Sequence, residues 1–130
     1  MLFRVFALLL VAFVFSPLAA AETPRRPITH EDLWLMPRVG APVASPDGRY
    51  AVFQLTRPAY DADQQSTHLW LVRTDGSEAP RQLTFGRDRP AGMSWSPDGR
   101  RLAFTSRRDG DAASQVYLLD LATGGEARRL

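Results

Sequence analysis

Cysteine is absent from this chain, and so is lysine. Without cysteine there is no disulfide framework, no acylated lipoprotein anchor and no His/Cys cluster with zinc spacing, so stability has to come from packing. Histidine is scarce, at two residues. A surplus of one charge is missing as well: the formal net charge is +2, with the two signs interspersed. That pattern gives no basic stripe for nucleic acid, which is excluded as a partner. Long hydrophobic runs are confined to residues 5–15.

That single run has the order of a secretory leader. Arg4 supplies the positive start, residues 5–15 are apolar without interruption, Pro17 breaks the run, and Ala19, Ala20 and Ala21 supply small residues. This predicts cleavage between Ala21 and Glu22 and a periplasmic or secreted product. The alternative, an uncleaved anchor, requires ~20 apolar residues to span a bilayer, more than are present. No membrane partner is expected after cleavage. Residues 22–130 then make one small domain.

What is there is a repeat. The pentapeptide Ser-Pro-Asp-Gly-Arg occurs at 45–49 and again at 96–100. The match runs on, from SPDGRYAVF at 45–53 to SPDGRRLAF at 96–104, an offset of 51. A second block, HLWLVRTDGSEAPRQL at 68–83, matches QVYLLDLATGGEARRL at 115–130 with an offset of 47. The change of offset places a longer surface loop in the first copy, around 58–65.

Each copy divides into four strand-like pieces. In the turns Ser45-Pro46-Asp47-Gly48 and Ser96-Pro97-Asp98-Gly99, proline presets φ, aspartate bonds its own backbone and glycine accepts positive φ. The predicted strands are 43–44, 50–54, 67–73 and 81–84, then 93–95, 101–105, 115–120 and 128–130. The central strands are apolar at consecutive positions, as in Tyr50-Ala51-Val52-Phe53 and Val116-Tyr117-Leu118-Leu119, which predicts cover on both faces. Stacked four-stranded antiparallel sheets of this length describe propeller blades, with an eight-stranded sandwich as the alternative. The expected fold is therefore all-β: an incomplete β-propeller of two four-stranded antiparallel blades, preceded by a short helix and the leader. The expected divisions are 1–21 leader, 22–42 segment with helix, 43–84 first blade and 90–130 second blade.

The helix expected near Thr29 has Asp32 three residues after its N-cap, Ile28 and Leu33 placed for a hydrophobic staple, and Pro37 to stop it. A short T-x-E-D-L helix followed by VGAPVASPDGRYAVF resembles the mature N-terminus of bacterial dipeptidyl or acylaminoacyl-peptidases of the prolyl oligopeptidase family. SWSPDGRRLAF with QVYLLDLATGGEARRL resembles the TolB/WD-like propeller repeat that this family shares with TolB-type periplasmic proteins. The resemblance covers residues 27–130. Ala44 departs from it, because the second copy has Trp95 there. It implies a propeller that covers an α/β-hydrolase domain, restricts access to its active site and helps bind the peptide.

The chemistry of that hydrolase is not legible here. The nearest approach to G-x-S-x-G is Gly92-Met93-Ser94-Trp95-Ser96, which lacks the second glycine and sits in an expected strand instead of a strand-to-helix elbow. His30 and His68 read as surface or packing residues. Asp61, Asp63, Asp109 and Asp111 read as solvated loop carboxylates, since no calcium-loop spacing follows them. No catalytic residue, cofactor or metal ligand is assigned. The alignment of Leu130 with Leu83 places the chain's end inside the fourth strand of the second blade. Three readings remain: the truncated front end of a secreted serine peptidase, inactive alone and meeting peptide only in the full-length context; a non-catalytic TolB-like binding propeller; or a free two-blade interaction module. Two blades also leave faces free for self-association.

Overall fold

A computed structural model describes residues 26–108 and 110–130. The leader, with its expected cleavage at Ala21/Glu22, and Asp109 lie outside the described residues.

The chain begins with a helix of little more than one turn, α1 (His30–Trp34). Thr29 caps it: the Thr29 hydroxyl accepts from the Asp32 amide, and Asp32 accepts from the Thr29 amide at 2.8 Å. Arg26 adds a two-pronged ion pair to the same carboxylate, and these donors, Arg26 foremost, hold Asp32 well below the usual carboxylate range. The helix ends at Leu35, before Pro37, and Ile28 and Leu33 are both exposed. Its integrity rests on the capping box, not on a buried staple.

Nine strands follow: β1 (Arg38–Val39), β2 (Val43–Ala44), β3 (Tyr50–Arg57), β4 (Ser66–Arg73), β5 (Arg81–Gln82), β6 (Ala91–Trp95), β7 (Arg101–Ser106), β8 (Gln115–Asp120) and β9 (Arg128–Arg129). They form two antiparallel sheets. The second runs β6-β7-β8-β9, and the first runs β1-β3-β4-β5 with β2 also on β3. The extra strand β1 was not anticipated. Its two residues pair with Leu55 and Thr56 because β3 runs on past Gln54 to Arg57 and leaves an edge free beyond β2. The fourth strands are two residues long in both sheets, shorter than expected at 81–84 and 128–130.

Register decides which side chains meet. In the first sheet Val52 pairs with Leu71 and Gln54 with Leu69, so these four share one face. In the second, Leu102 pairs with Leu119 and Phe104 with Tyr117 on one face. These two faces close on each other. Val52, Leu69, Leu102, Phe104, Tyr117, Leu119 and Ala127 form a single core, with Val52, Leu69 and Leu102 at 0% exposure. Each such side chain contributes ~1.5–3 kcal/mol by leaving water. Phe104 and Tyr117 stack across their strands, ring centres 6.0 Å apart.

The opposite faces are not covered in this way. Phe53, Trp70 and Val72 on the first sheet are only part-buried, and Val116 on the second is 44% exposed. Among the described residues each sheet buries one face, against the other sheet. Consecutive apolar residues appear because both faces are apolar, while the contacts among the described residues cover one of them.

Candidate functional site

The repeated pentapeptides build two hairpin ends with the same wiring. In the first, the Gly48 amide donates to the Ser45 carbonyl (2.9 Å), the Arg49 amide to Asp47 Oδ1 (3.1 Å) and the Tyr50 amide to Ser45 Oγ (3.0 Å). In the second, Gly99, Arg100 and Arg101 make the equivalent bonds to Ser96 and Asp98 at 2.9, 3.0 and 2.9 Å. Each serine hydroxyl also donates to its aspartate, and that bond is the first cause of the lowered carboxyl pKa at Asp47 and Asp98. Gly48 and Gly99 have φ of +69° and +68°, a region that side chains avoid. Pro46 and Pro97 take the first central position of each turn.

The second turn forms one wall of a cleft of about 200 Å³ between the sheets. Tyr50, Leu71, Trp95 and Leu121 give it apolar sides, and Arg73, Arg81 and Arg100 line it with Glu78. Arg73 is committed to Asp75 (3.0 Å) and Glu78 (3.2 Å) and lies 5.6 Å over the Tyr50 ring. Hydrogen bonds from Ser77 first, then from Arg73, hold Asp75 at about 2. No ion pair is formed by Arg81 or Arg100 among the described residues. Such a cleft can take a small apolar group that carries a negative charge. Trp95 fixes its depth, because the indole Nε1 donates to the Val43 carbonyl at 3.0 Å and ties β6 to β2. At the position where the first copy has Ala44, Trp95 thus reaches back onto the preceding sheet.

At the other end, Asp111 corrects the reading of a solvated loop carboxylate. Its side chain is 5% exposed and accepts from Tyr117 Oη (2.6 Å), the Arg108 amide (3.0 Å) and Arg129 (3.1 Å). The Tyr117 bond, then the Arg108 amide, keep its carboxyl below the usual range. Arg108 sits 4.3 Å over the Tyr117 ring and reaches Asp88 (3.0 Å), Glu126 (3.3 Å) and the Ala127 carbonyl (3.1 Å). This knot joins the inter-sheet linker to two loops of the second sheet. It escaped the sequence because its members are distant along the chain. Asp61 receives Gln64 Nε2 at 3.1 Å, and Asp61 and Asp63 are exposed.

The remaining candidates are dispersed. Ser94 lies within β6 opposite Ala103. His30 is exposed and stacks on Trp34. His68 is 8% exposed, its Nδ1 is unpartnered, and burial followed by the Arg57 charge lowers its pKa. Among the described residues, no three His, Cys, Asp or Glu side chains converge on a point that could hold a metal.

No family model matches the chain. Over 104 residues it is 38% identical to the uncharacterized peptidase YuxL of Bacillus subtilis, a match that covers 79% of this chain and 15% of that protein. Dipeptidyl-peptidase 5 of Porphyromonas endodontalis is 31% identical over 84 residues, covering 65% of this chain and 12% of the relative. The chain thus corresponds to less than a sixth of either peptidase. Among solved structures, the AtxE2 isopeptidase superposes on 79% of the chain with a TM-score of 0.62 at 21% identity, over 20% of its own length. A putative TolB from Agrobacterium tumefaciens superposes on 71% with a TM-score of 0.52 at 26% identity, over 32% of its own length. The chain is a homologue of peptidases and of TolB-like propeller proteins, and its partial match to them fits an N-terminal propeller part.

Proposed function

We propose that the chain is the N-terminal propeller region of a secreted or periplasmic serine peptidase of the dipeptidyl/oligopeptidase or acylaminoacyl type. In that role the two sheets form part of the wall that restricts access to an α/β-hydrolase active site and positions the peptide. The observation that carries this reading is the 38% identity to a peptidase over 104 residues, a span too long to be matched by one repeat alone. The geometry suits a wall. Both hairpin ends are locked by the same serine–aspartate–glycine wiring, and the cleft beside the second offers apolar surface bordered by guanidinium groups. Acyl transfer by this family's route needs a nucleophile with a base beside it, which would come from the hydrolase domain. The 130-residue chain alone is accordingly proposed to be catalytically silent.

A second reading is a TolB-like binding propeller that acts in protein–protein interaction, favoured by the 26% identity to the TolB structure. The two are separated by capturing the native product from the source cell's periplasm or medium with antibodies against residues 26–130, then treating it with a fluorophosphonate probe. The peptidase reading expects a captured polypeptide larger than 14.5 kDa that labels on serine. A larger product that stays unlabelled while a known serine hydrolase in the same sample labels would favour the binding propeller.

A further inference from the structure

The cleft between the sheets holds guanidinium groups whose charge is not used within the fold. Arg73 is taken by Asp75 and Glu78. Asp98, the carboxylate of the adjoining turn, accepts from the Ser96 hydroxyl and the Arg100 amide. In the first turn Arg49, the counterpart of Arg100, lies 3.9 Å from Asp47. Arg100 forms no such pair among the described residues and lines the cleft, as does Arg81. Apolar walls face these two groups: Tyr50 and Leu71 from the first sheet, Trp95 and Leu121 from the second. The bond from Trp95 to the Val43 carbonyl holds one wall in place before any ligand arrives, which lowers the ordering cost of binding. These side chains belong to the faces that pack on each other, so the walls do not depend on what lies against the outer faces.

Size and chemistry together narrow the occupant. Drug-sized ligands fill roughly 300–1,000 Å³, whereas about 200 Å³ suits a single side chain with its carboxylate. A guanidinium binds a carboxylate through two parallel hydrogen bonds. A bare anion would leave the apolar walls wet, and an uncharged apolar group would leave both guanidiniums unanswered. An aspartate or glutamate side chain brings charge without a separate apolar group. The last residue of a peptide brings both on one Cα. We propose that the cleft binds the C-terminal residue of a peptide, with its α-carboxylate on Arg81 and Arg100 and its apolar side chain against Trp95, Tyr50, Leu71 and Leu121. The inference stands on the cleft and not on the peptidase reading.

The test uses the gene product at its native length, treated beforehand with a fluorophosphonate. An active-site serine, where present, is then blocked, so this proposal and the peptidase reading fail separately. The probe is glycyl-glycyl-phenylalanine labelled with fluorescein at its amino end and followed by fluorescence anisotropy. Saturable binding is expected, weakened about tenfold or more when the probe ends in an amide. Arg81→Gln and Arg100→Gln should each weaken the acid probe to a similar degree. Both side chains are exposed; circular dichroism checks the fold, and Arg81→Gln alone decides if Arg100→Gln loses its β-structure. Arg38→Gln alters an exposed guanidinium at the far end of β3, opposite Thr56, and should bind as the unaltered protein does. A probe ending in glycine should bind more weakly, because the walls stay unfilled. Absence of saturable binding would overturn the proposal, as would equal binding of acid and amide. So would folded cleft variants that bind normally, an equal loss in Arg38→Gln, or a glycine-ended probe that binds as well as the phenylalanine one.

Discussion

Replacing Phe104 and, separately, Phe53 with alanine perturbs the same repeat position in two different environments. Phe104 is 1% exposed and packed among Leu102, Tyr117 and Val52. Its truncation removes a large buried side chain and leaves a cavity, at ~3–5 kcal/mol. A domain of this size has a total stability of about 5–15 kcal/mol, so the loss is a fifth or more. Each kcal/mol moves Tm by ~4–8 °C in this size range, so the midpoint should fall by at least ~12 °C. Phe53 is only part-buried, opposite Trp70 on the uncovered face. Its truncation forgoes partial burial without opening an enclosed cavity, at about 1 kcal/mol. The assay is thermal and urea unfolding followed by circular dichroism, at a dilution where the chain sediments as a monomer. Equal losses at the two positions, or a larger loss at Phe53, would refute the assignment of covered and uncovered faces.

Four further outcomes are expected. Gly99→Val should cost about 1–3 kcal/mol in the same unfolding assay, because φ is +68° while a Cβ would meet only Pro46 at an ordinary 3.7 Å; an unchanged midpoint would contradict the turn. Trp95→Phe should cost about 1 kcal/mol, from loss of the bond to the Val43 carbonyl, and a neutral result would remove Trp95 as the tie between sheets. His68 has a lowered pKa, so the folded state favours the neutral ring; its stability contribution is present above the unfolded value near 6.5 and is lost as pH falls below it. His68→Gln, which installs the residue found at position 115, should flatten the Tm change between about pH 7.5 and 5.5, and an unaltered slope would place the titration elsewhere. Mass spectrometry of the exported chain should find Glu22 as the first residue, and a start at Met1 would overturn the leader.

Local chemistry was legible wherever a few neighbouring residues decide the conformation. Ser-Pro-Asp-Gly announces its own hydrogen bonds and its positive φ, and Thr29 with Asp32 announces a capping box. Strands β7 and β8 were readable because a turn bounds each of them. What depends on partners distant in sequence was not. Strand β1 exists because β3 extends beyond β2 and offers it an edge, and nothing in Arg38-Val39 states that. Asp111 resembles any loop aspartate until Tyr117, Arg108 and Arg129 are brought around it. Apolar residues on both faces of a strand show what each face can bury against, not whether the contact is made. The cleft at Trp95 was hidden for the same reason, since residues 43 and 95 meet only when the sheets stack.

The most direct measurement of the central claim is the coding sequence beyond codon 130 at the source locus. The account predicts further Ser-Pro-Asp-Gly-type repeats in the same or a shifted frame, then a G-x-S-x-G segment on a strand-to-helix elbow with aspartate and histidine after it. Further repeats followed by a stop, with no such segment, would contradict the peptidase assignment.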